Sequence, residues 1–266
     1  MVGVKKHNFT KFFIMFAVLS FFYLPILSLM IFSFNDSRSL TSWSGFSLQW
    51  YQALFENREM MTAITTTITI ALISTLVATV MGTLAAIGIS KSRRLIKELV
   101  LSVNNFPILN PEIVTAIGLM LMYSSLNIEK GFITMLLAHI IFSTPYVILS
   151  VLPRIRRLDP DIAEAALDLG ATPLQALWKV IVPMIAPGIV SGALIAFTMS
   201  FDDFVISYFV SGNGVKNISI LVYTMSKRIN PTINALSTIL VVIITIVLLV
   251  VNLYPYIAKK DIKEAE

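Results

Sequence analysis

No cysteine occurs in the 266 residues, which excludes disulfides, thiolate metal centres and iron–sulfur clusters. Charge is also scarce: Asp, Glu, Lys and Arg make up 13% of the chain against 56% hydrophobic residues, and mean hydropathy is +0.83. An ordinary soluble domain is about a quarter charged, so this chain lacks the side chains that would clothe a water-soluble surface. The two histidines, His7 and His139, lie too far apart to form a metal-ligand pair. A G-x-x-x-x-G-K-[ST] phosphate loop is missing; Ser211 to Ser219 comes nearest and lacks the second glycine and the lysine in register. Nucleotide hydrolysis therefore belongs to another chain. There is neither an internal repeat nor a low-complexity tract. The first apolar run, Phe12 to Phe34, outlasts a signal core and has no small-residue cleavage site, which predicts a retained helix.

Long apolar runs are what the chain does have. Six can cross a hydrocarbon core of ~30 Å, which needs about 20 apolar residues: 12–34, 61–90, 99–125, 132–153, 186–210 and 233–257. They do not alternate in polarity, so they read as helices rather than barrel strands. The expected fold is an all-α integral membrane protein, with residues 1–266 as a single transmembrane domain. Lys and Arg set the orientation. Lys5, Lys6, Lys11, Lys91, Arg93, Arg94, Lys97, Arg154, Arg156, Arg157, Lys179, Lys259, Lys260 and Lys263 fall on one side; Arg38, Arg58, Lys130, Lys216, Lys227 and Arg228 fall on the other. The richer side is cytoplasmic, with both termini, and 35–60 and 211–232 face outward. The net charge of +5 is thus spread between spans, which speaks against nucleic acid. Trp43, Trp50 and Tyr51 fall at the outer interface, with a short surface helix over 47–56. Pro107 and Pro111 make span three irregular. The threonines of span two, with Gly82, Ala86 and Gly88, read as a packing face.

Leu158 to Pro183 does not look like membrane. Asp159 and Pro160 open a short helix, Ile162, Ala166 and Leu169 share its apolar face, and Gly170 ends it in a left-handed cap. Thr172, Pro173 and Gln175 form a capping box for a second helix, whose apolar face is Leu174, Leu177 and Ile181 and which Pro183 stops. Glu164, Ala165, Ala166 and Gly170, then Val180, Val182 and Pro183, follow a pattern of E-A-A, three residues, G, nine residues, I-x-L-P, with Val replacing Ile and Leu. In this the chain resembles permease subunits of binding-protein-dependent ABC importers. The resemblance implies a type I importer permease fold in a bacterial inner membrane. It also implies a cytoplasmic coupling loop at 154–183, with Glu164, Ala165, Ala166, Gly170, Ala171, Thr172 and Pro183 against an ATPase that binds ATP and Mg. Two ATPase copies, a second permease subunit and an extracytoplasmic binding protein complete the assembly it implies. No cofactor is expected in this chain.

Acids inside spans are costly and point to function. Glu112, Asp202 and Asp203 stand out, with no lysine or arginine in the spans to neutralise them. Counted as one helix, span five places Gly192, Ala196, Ser200, Asp203, Ser207 and Ser211 on a small, polar stripe, with Asp202 about 100° away. This predicts that Asp203 faces a translocation path, alongside Ser200, Phe204, Ser207 and Tyr208, while Asp202 meets a neighbouring helix or the edge of the path. Aromatic flanks suit an organic cation. SFDDFVISYF (Ser200–Phe209) and INPTINA (Ile229–Ala235) resemble the permeases of spermidine/putrescine importers. Related permeases for iron(III), thiamine or phosphonate solutes share the architecture and remain alternatives. A stand-alone secondary transporter fits less well without an inverted repeat, and no nucleophile–base set or metal cluster supports an enzyme.

Overall fold

A computed structural model describes the backbone of residues 3–39, 41–159, 161–225 and 230–264, with side chains described from Thr10 to Ile246 within those ranges and at Leu249. Pro160, expected to open the first hairpin helix, and the charges at Lys227 and Arg228 lie outside them. Among the described residues the chain is helical, apart from one isolated antiparallel bridge between Asn35 and Phe46. The residues group into two compact units, 1–61 with 222–266, and 62–221.

The first unit holds α1 (Gly3–Phe32), α2 (Gln49–Glu56) and α12 (Pro231–Glu264). Helix α1 is apolar all round and bare on every side, Phe13, Phe16, Phe21 and Phe22 included, as a membrane span is. The loop after it is tied by Asn35. Its amide donates to the carbonyls of Ser39 and Ser42 at 3.0 and 2.8 Å, and its Oδ1 accepts from the Ser44 N–H at 2.9 Å. Trp50 Nε1 donates to the Asn35 carbonyl at 2.7 Å, and Tyr51 Oη meets Ser33 Oγ at 2.8 Å, so the expected surface helix, α2, is anchored through its aromatic residues. Both α1 and α2 pack on α12.

In the second unit α6 (Phe132–Ile155) is the central post. Helix α3 (Arg58–Lys91) lays the small residues Ala78, Gly82 and Ala86 against it, and α9 (Val182–Phe201) adds Gly188 and Gly192. A Cβ on Gly192 would lie 3.1 Å from Val147 Cα, and one on Gly82 would lie 2.7 Å from Val147 Cβ. Such contacts are what small residues permit where lipid provides no hydrophobic drive between helices. Two apolar clusters result. One gathers Ile70, Met135, Phe142, Ile206 and Val210; the other gathers Ala78, Val147, Val151, Ile185 and Ala196.

Among the described residues four helical stretches are long and apolar enough to cross a membrane: Thr10–Phe32, Arg58–Lys91, Phe132–Ile155 and Pro173–Phe201. Span three is not one helix. It divides into α4 (Arg94–Leu109) and α5 (Glu112–Ser125), which meet at 103°. Pro111 supplies no N–H and drives Asn110 into an extended conformation, φ −82° and ψ 145°, so the ladder cannot continue. Span five departs the other way at its start. The second hairpin helix, α8 (Pro173–Ala176), runs through a π turn at Leu177–Ile181 directly into α9. Pro183 therefore does not stop it. The widened turn ahead of the proline opens the space where its ring would meet the carbonyl four residues back. Farther on, α9 ends at Phe201, and a separate helix α10 (Val205–Val210) follows a break at 202–204. Helix α11 (Ile218–Met225) lies within the segment expected to face outward.

Gly192→Leu should lower thermal stability by about 1–3 kcal/mol, read as an earlier melting midpoint in detergent. Gly118→Ala, where a methyl meets nothing within 4 Å, should leave the midpoint unchanged or raise it. Equal melting of both variants would mean that the α6–α9 seam is not close-packed.

Candidate functional site: a broken helix and a helical hairpin

The break in span five is held by its own acid. Asp203 is 8% exposed. Its Oδ1 accepts from the Ile206 N–H at 3.2 Å and its Oδ2 from the Ser207 N–H at 2.7 Å, which satisfies the open donors at the start of α10. Its backbone carbonyl accepts from Asn217 Nδ2 at 2.9 Å. The same amide nitrogen donates to Ser207 Oγ at 2.9 Å, while Asn217 Oδ1 caps α11 by accepting from the Ile220 N–H.

Behind Asp203 stands His139 of α6, 2% exposed. Its Nε2 lies 2.9 Å from Ser207 Oγ and 3.4 Å from Asp203 Oδ2, and its Nδ1 lies 2.6 Å from Ser200 Oγ. Ser74 Oγ of α3 donates to Ser200 Oγ at 3.0 Å. Where Ser200 accepts from Ser74 and gives its own proton to Nδ1, a neutral ring carries its proton on Nε2 and points it at Ser207 and Asp203. A row from Ser74 to Asp203 thus links α3, α9 and α6 to the start of α10 with each member satisfied, as a buried polar network in a dry interior must be.

This arrangement reverses the roles read from the helical wheel. Gly192, Ala196, Ser200, Asp203, Ser207 and Ser211 are all buried, so the stripe packs inside the chain in this structure. The wheel counted residues through 202–204 as if helical, and the break there changes the phase. Asp203 has its partner in His139, a residue type that a count of lysine and arginine does not include. Asp202 comes out exposed, its carbonyl accepting from Ser219 Oγ at 3.2 Å. Glu112 is exposed at the start of α5, within electrostatic reach of Asp202, Asp203 and Tyr146. Neither Asp202 nor Glu112 forms an ion pair with a lysine or arginine among the described residues. Tyr208 is exposed and Phe204 half-buried, their rings 5.4 Å apart. Three acids and two aromatic rings are therefore brought to one place, where α5 packs on α10. Besides His139, the wheel missed Ser74 and Asn217. The available signal was a histidine inside an otherwise apolar run, FITMLLAHIIF.

The hairpin forms much as its capping residues dictate. Helix α7 (Ile162–Asp168) starts two residues later than expected, but Asp159 Oδ1 still accepts from the Asp161 N–H at 3.0 Å. Gly170 has φ +84°. Its N–H donates to the Leu167 carbonyl at 2.9 Å and that of Ala171 to the Ala166 carbonyl at 3.1 Å, a Schellman closure. Thr172 and Gln175 make the reciprocal capping box at 3.3 and 2.9 Å. Ala166 and Ala176 are buried, whereas Leu169, assigned to the inward face, is 89% exposed. It sits beyond the last helical residue, where helical phase no longer applies. Glu164, Ala165, Leu174 and Trp178 are also exposed.

A multi-helix apolar body with a helical hairpin, and with acids gathered where α5 packs on α10, fits the membrane subunit of a solute transporter. Residues 78–260 match the family described as binding-protein-dependent transport system inner membrane component, and the chain belongs to that family. It is therefore the multi-pass inner-membrane permease of an importer that works with a binding protein. It is 39% identical to the putrescine transport system permease protein PotI of Escherichia coli K12, over 83% of this chain and 82% of that one. It is 38% identical to the spermidine/putrescine transport system permease protein PotC of Haemophilus influenzae, over 86% and 90%. The fold matches a chain of a bacterial ABC transporter involved in the import of alginate with a TM-score of 0.73, at 15% identity over 97% and 98% of the two chains. A second alginate transporter structure, in complex with a pentasaccharide-bound periplasmic protein, matches with a TM-score of 0.67 at 17% identity, over 91% and 93%.

His139→Leu strands the hydroxyls of Ser200 and Ser207 and removes the ring facing Asp203. It should cost about 1–3 kcal/mol of stability, measured by thermal unfolding in detergent. In a double-mutant cycle with Ser207→Ala the losses should fall short of their sum by about 0.5 kcal/mol or more. Strict additivity would show that the row does not act as one unit.

Proposed function

We propose that this chain is the permease subunit of an ABC importer for polyamines of the spermidine and putrescine kind. In this reading it pairs with a second, paralogous permease over two ATPase subunits, and an extracytoplasmic binding protein delivers the solute. The chain carries no cofactor; ATP and Mg bind the ATPases. It crosses the membrane six times with both termini in the cytoplasm, so the whole of 1–266 acts as one permease domain with its coupling loop at 154–183.

The observation that carries the solute assignment is the pair of exposed acids, Asp202 and Glu112, within electrostatic reach of each other and without a lysine or arginine partner among the described residues. A carboxylate so placed in a membrane interior attracts a cation, and an aromatic face beside it adds cation–π attraction for an ammonium group. At ~4 Å an ammonium gains roughly 4 kcal/mol at an effective dielectric near 20, before desolvation. Two such acids suit a solute with more than one amine, and the named substrates of the relatives are of that class. Asp202 and Glu112 contact the solute here, with Tyr208 and Phe204 as its aromatic wall; Asp203, Ser200 and Ser207 hold the break that presents them.

Asp202→Asn keeps the shape and removes the charge. In the reconstituted importer it should lower polyamine uptake at limiting substrate by about tenfold, or 1.4 kcal/mol, with assembly and basal ATP hydrolysis retained. Asp203→Asn should instead act mainly through stability, because its carboxylate is committed to backbone donors. Normal uptake by Asp202→Asn would remove this acid from the path and weaken the polyamine assignment.

The hairpin is the seat for an ATPase. Its apolar residues Leu167, Leu169, Leu174 and Trp178 are bare, and its tip is fixed by two capping motifs. Gly170→Val places a β-branched residue at a positive φ, which costs about 1–2 kcal/mol locally. It should leave insertion intact while separating ATP hydrolysis from uptake or loosening the ATPase. The ratio of phosphate released to solute imported reads this directly; an unchanged ratio in an assembled complex would refute the role given to the turn.

A further inference from the structure

We infer that a groove at the corner between α3 and α4 binds the phosphate of an anionic phospholipid headgroup. A cavity of about 540 Å³ lies there, lined by Ser92, Arg94, Lys97, Glu98, Leu101 and Arg156. A second cavity, of about 440 Å³, shares Lys97 and Arg156 and extends to Lys91 and Asp159. Three separate helical segments converge: the end of α3, the start of α4 and the residue after α6. Four basic side chains face two acids. Both acids are engaged, since Glu98 Oε1 holds Arg94 Nε at 2.9 Å and Asp159 Oδ1 accepts from the Asp161 N–H at 3.0 Å. Lys91, Lys97 and Arg156 have no carboxylate partner among the described residues.

A guanidinium fork and an ammonium on opposite sides of a groove suit a phosphate, which arginine grips through two parallel hydrogen bonds and lysine through its charge. Inorganic phosphate would need only that. The surroundings ask for a ligand with an apolar part as well. On α4, Arg94, Lys97, Glu98 and Leu101 share the groove face, and one residue, about 100°, further round run Leu95, Leu99 and Val103. All three are bare, at 70%, 60% and 73% exposed. The basic groove and the apolar ladder therefore stand side by side at the end of membrane-crossing helices, where headgroup gives way to acyl chain. Basic pockets between helices at such a boundary hold anionic headgroups. The inference rests on the membrane placement of the chain and is independent of which solute is carried.

The test uses the complete importer in nanodiscs of phosphatidylcholine mixed with phosphatidylglycerol. Native mass spectrometry of the released complex counts the lipids that stay bound. The wild-type complex should retain phosphatidylglycerol in preference to phosphatidylcholine. Lys97→Gln with Arg156→Gln should cut that retention by about tenfold, while Arg38→Gln, an exposed cation elsewhere, should not. The spectrum also weighs the assembled complex. If the double variant fails to assemble, Arg156→Lys alone, which keeps the charge and loses the fork, should retain phosphatidylglycerol at an intermediate level. Retention unchanged by the double substitution, or equal for the two lipids, overturns the site. Displacement of the lipid by excess inorganic phosphate would assign the groove to a free anion and overturn it equally.

Discussion

A carboxylate inside a lipid-embedded helix bundle must be either satisfied by the protein or left for something that comes to it. Asp203 and Asp202, adjacent in sequence, take the two different courses. Asp203 turns inward, meets the open N–H groups of α10 and stands against His139, and every hydroxyl from Ser74 to Ser207 is then ordered in one direction. That commitment allows span five to break at all, because a helix interrupted at membrane depth exposes backbone donors that lipid cannot satisfy. With the break fixed, Asp202 is carried outward on a short stretch of non-helical chain. The same pinning extends to Asn217, which ties α11 to the break, and to α5, whose Glu112 shares the cleft.

The apolar packing falls into two clusters along α6, one of which, with Met135, Ala138 and Phe142, surrounds His139, while the other begins at Val147. The polar row is thin in residues and rich in specificity. A sliding register of α9 on α6 would keep most of the apolar contact, since alanines and glycines repeat every four residues. It would leave His139 and Ser200 unpaired, and that loss selects one register. The small residues set how close the helices come, and the buried hydrogen bonds set where along their length they stop.

Much of the architecture was legible in the sequence because its causes are local. Gly170, Thr172 and Gln175 announced a left-handed cap and a capping box, and each formed with the bonds expected of it. Apolar runs placed α3 and α6 to within a few residues, whereas the helix expected over 186–210 begins at Pro173 and ends at Phe201. The misreadings share one cause, which is that proline and helical phase are not purely local matters. Pro111 bent its span by more than a right angle, whereas Pro183 sits in an unbroken helix because a π turn precedes it, and nothing in the spacing of the two separates them. The wheel through Asp202 and Asp203 failed because the helix stops between Phe201 and Val205. That stop depends on Asn217 and His139, 14 and 64 residues away, and a local pattern carries no trace of such partners. The acids themselves were found; their assignment to inside and outside needed the fold.

The unbroken passage from the hairpin into span five has a mechanical meaning. Pro173 to Phe201 is 29 residues, a rod of about 43 Å at 1.5 Å per residue. Its foot is the capped turn at Gly170 and its head is the residue next to Asp202. A tilt of about 10° at the foot swings the head by roughly 7 Å over that length, about the width of an extended methylene chain with its hydrogens and a little more. A proline that had cut the rod would have absorbed such a tilt as bending. Carried through the π turn, it is a crank: a few degrees at the foot become several ångströms beside Asp202.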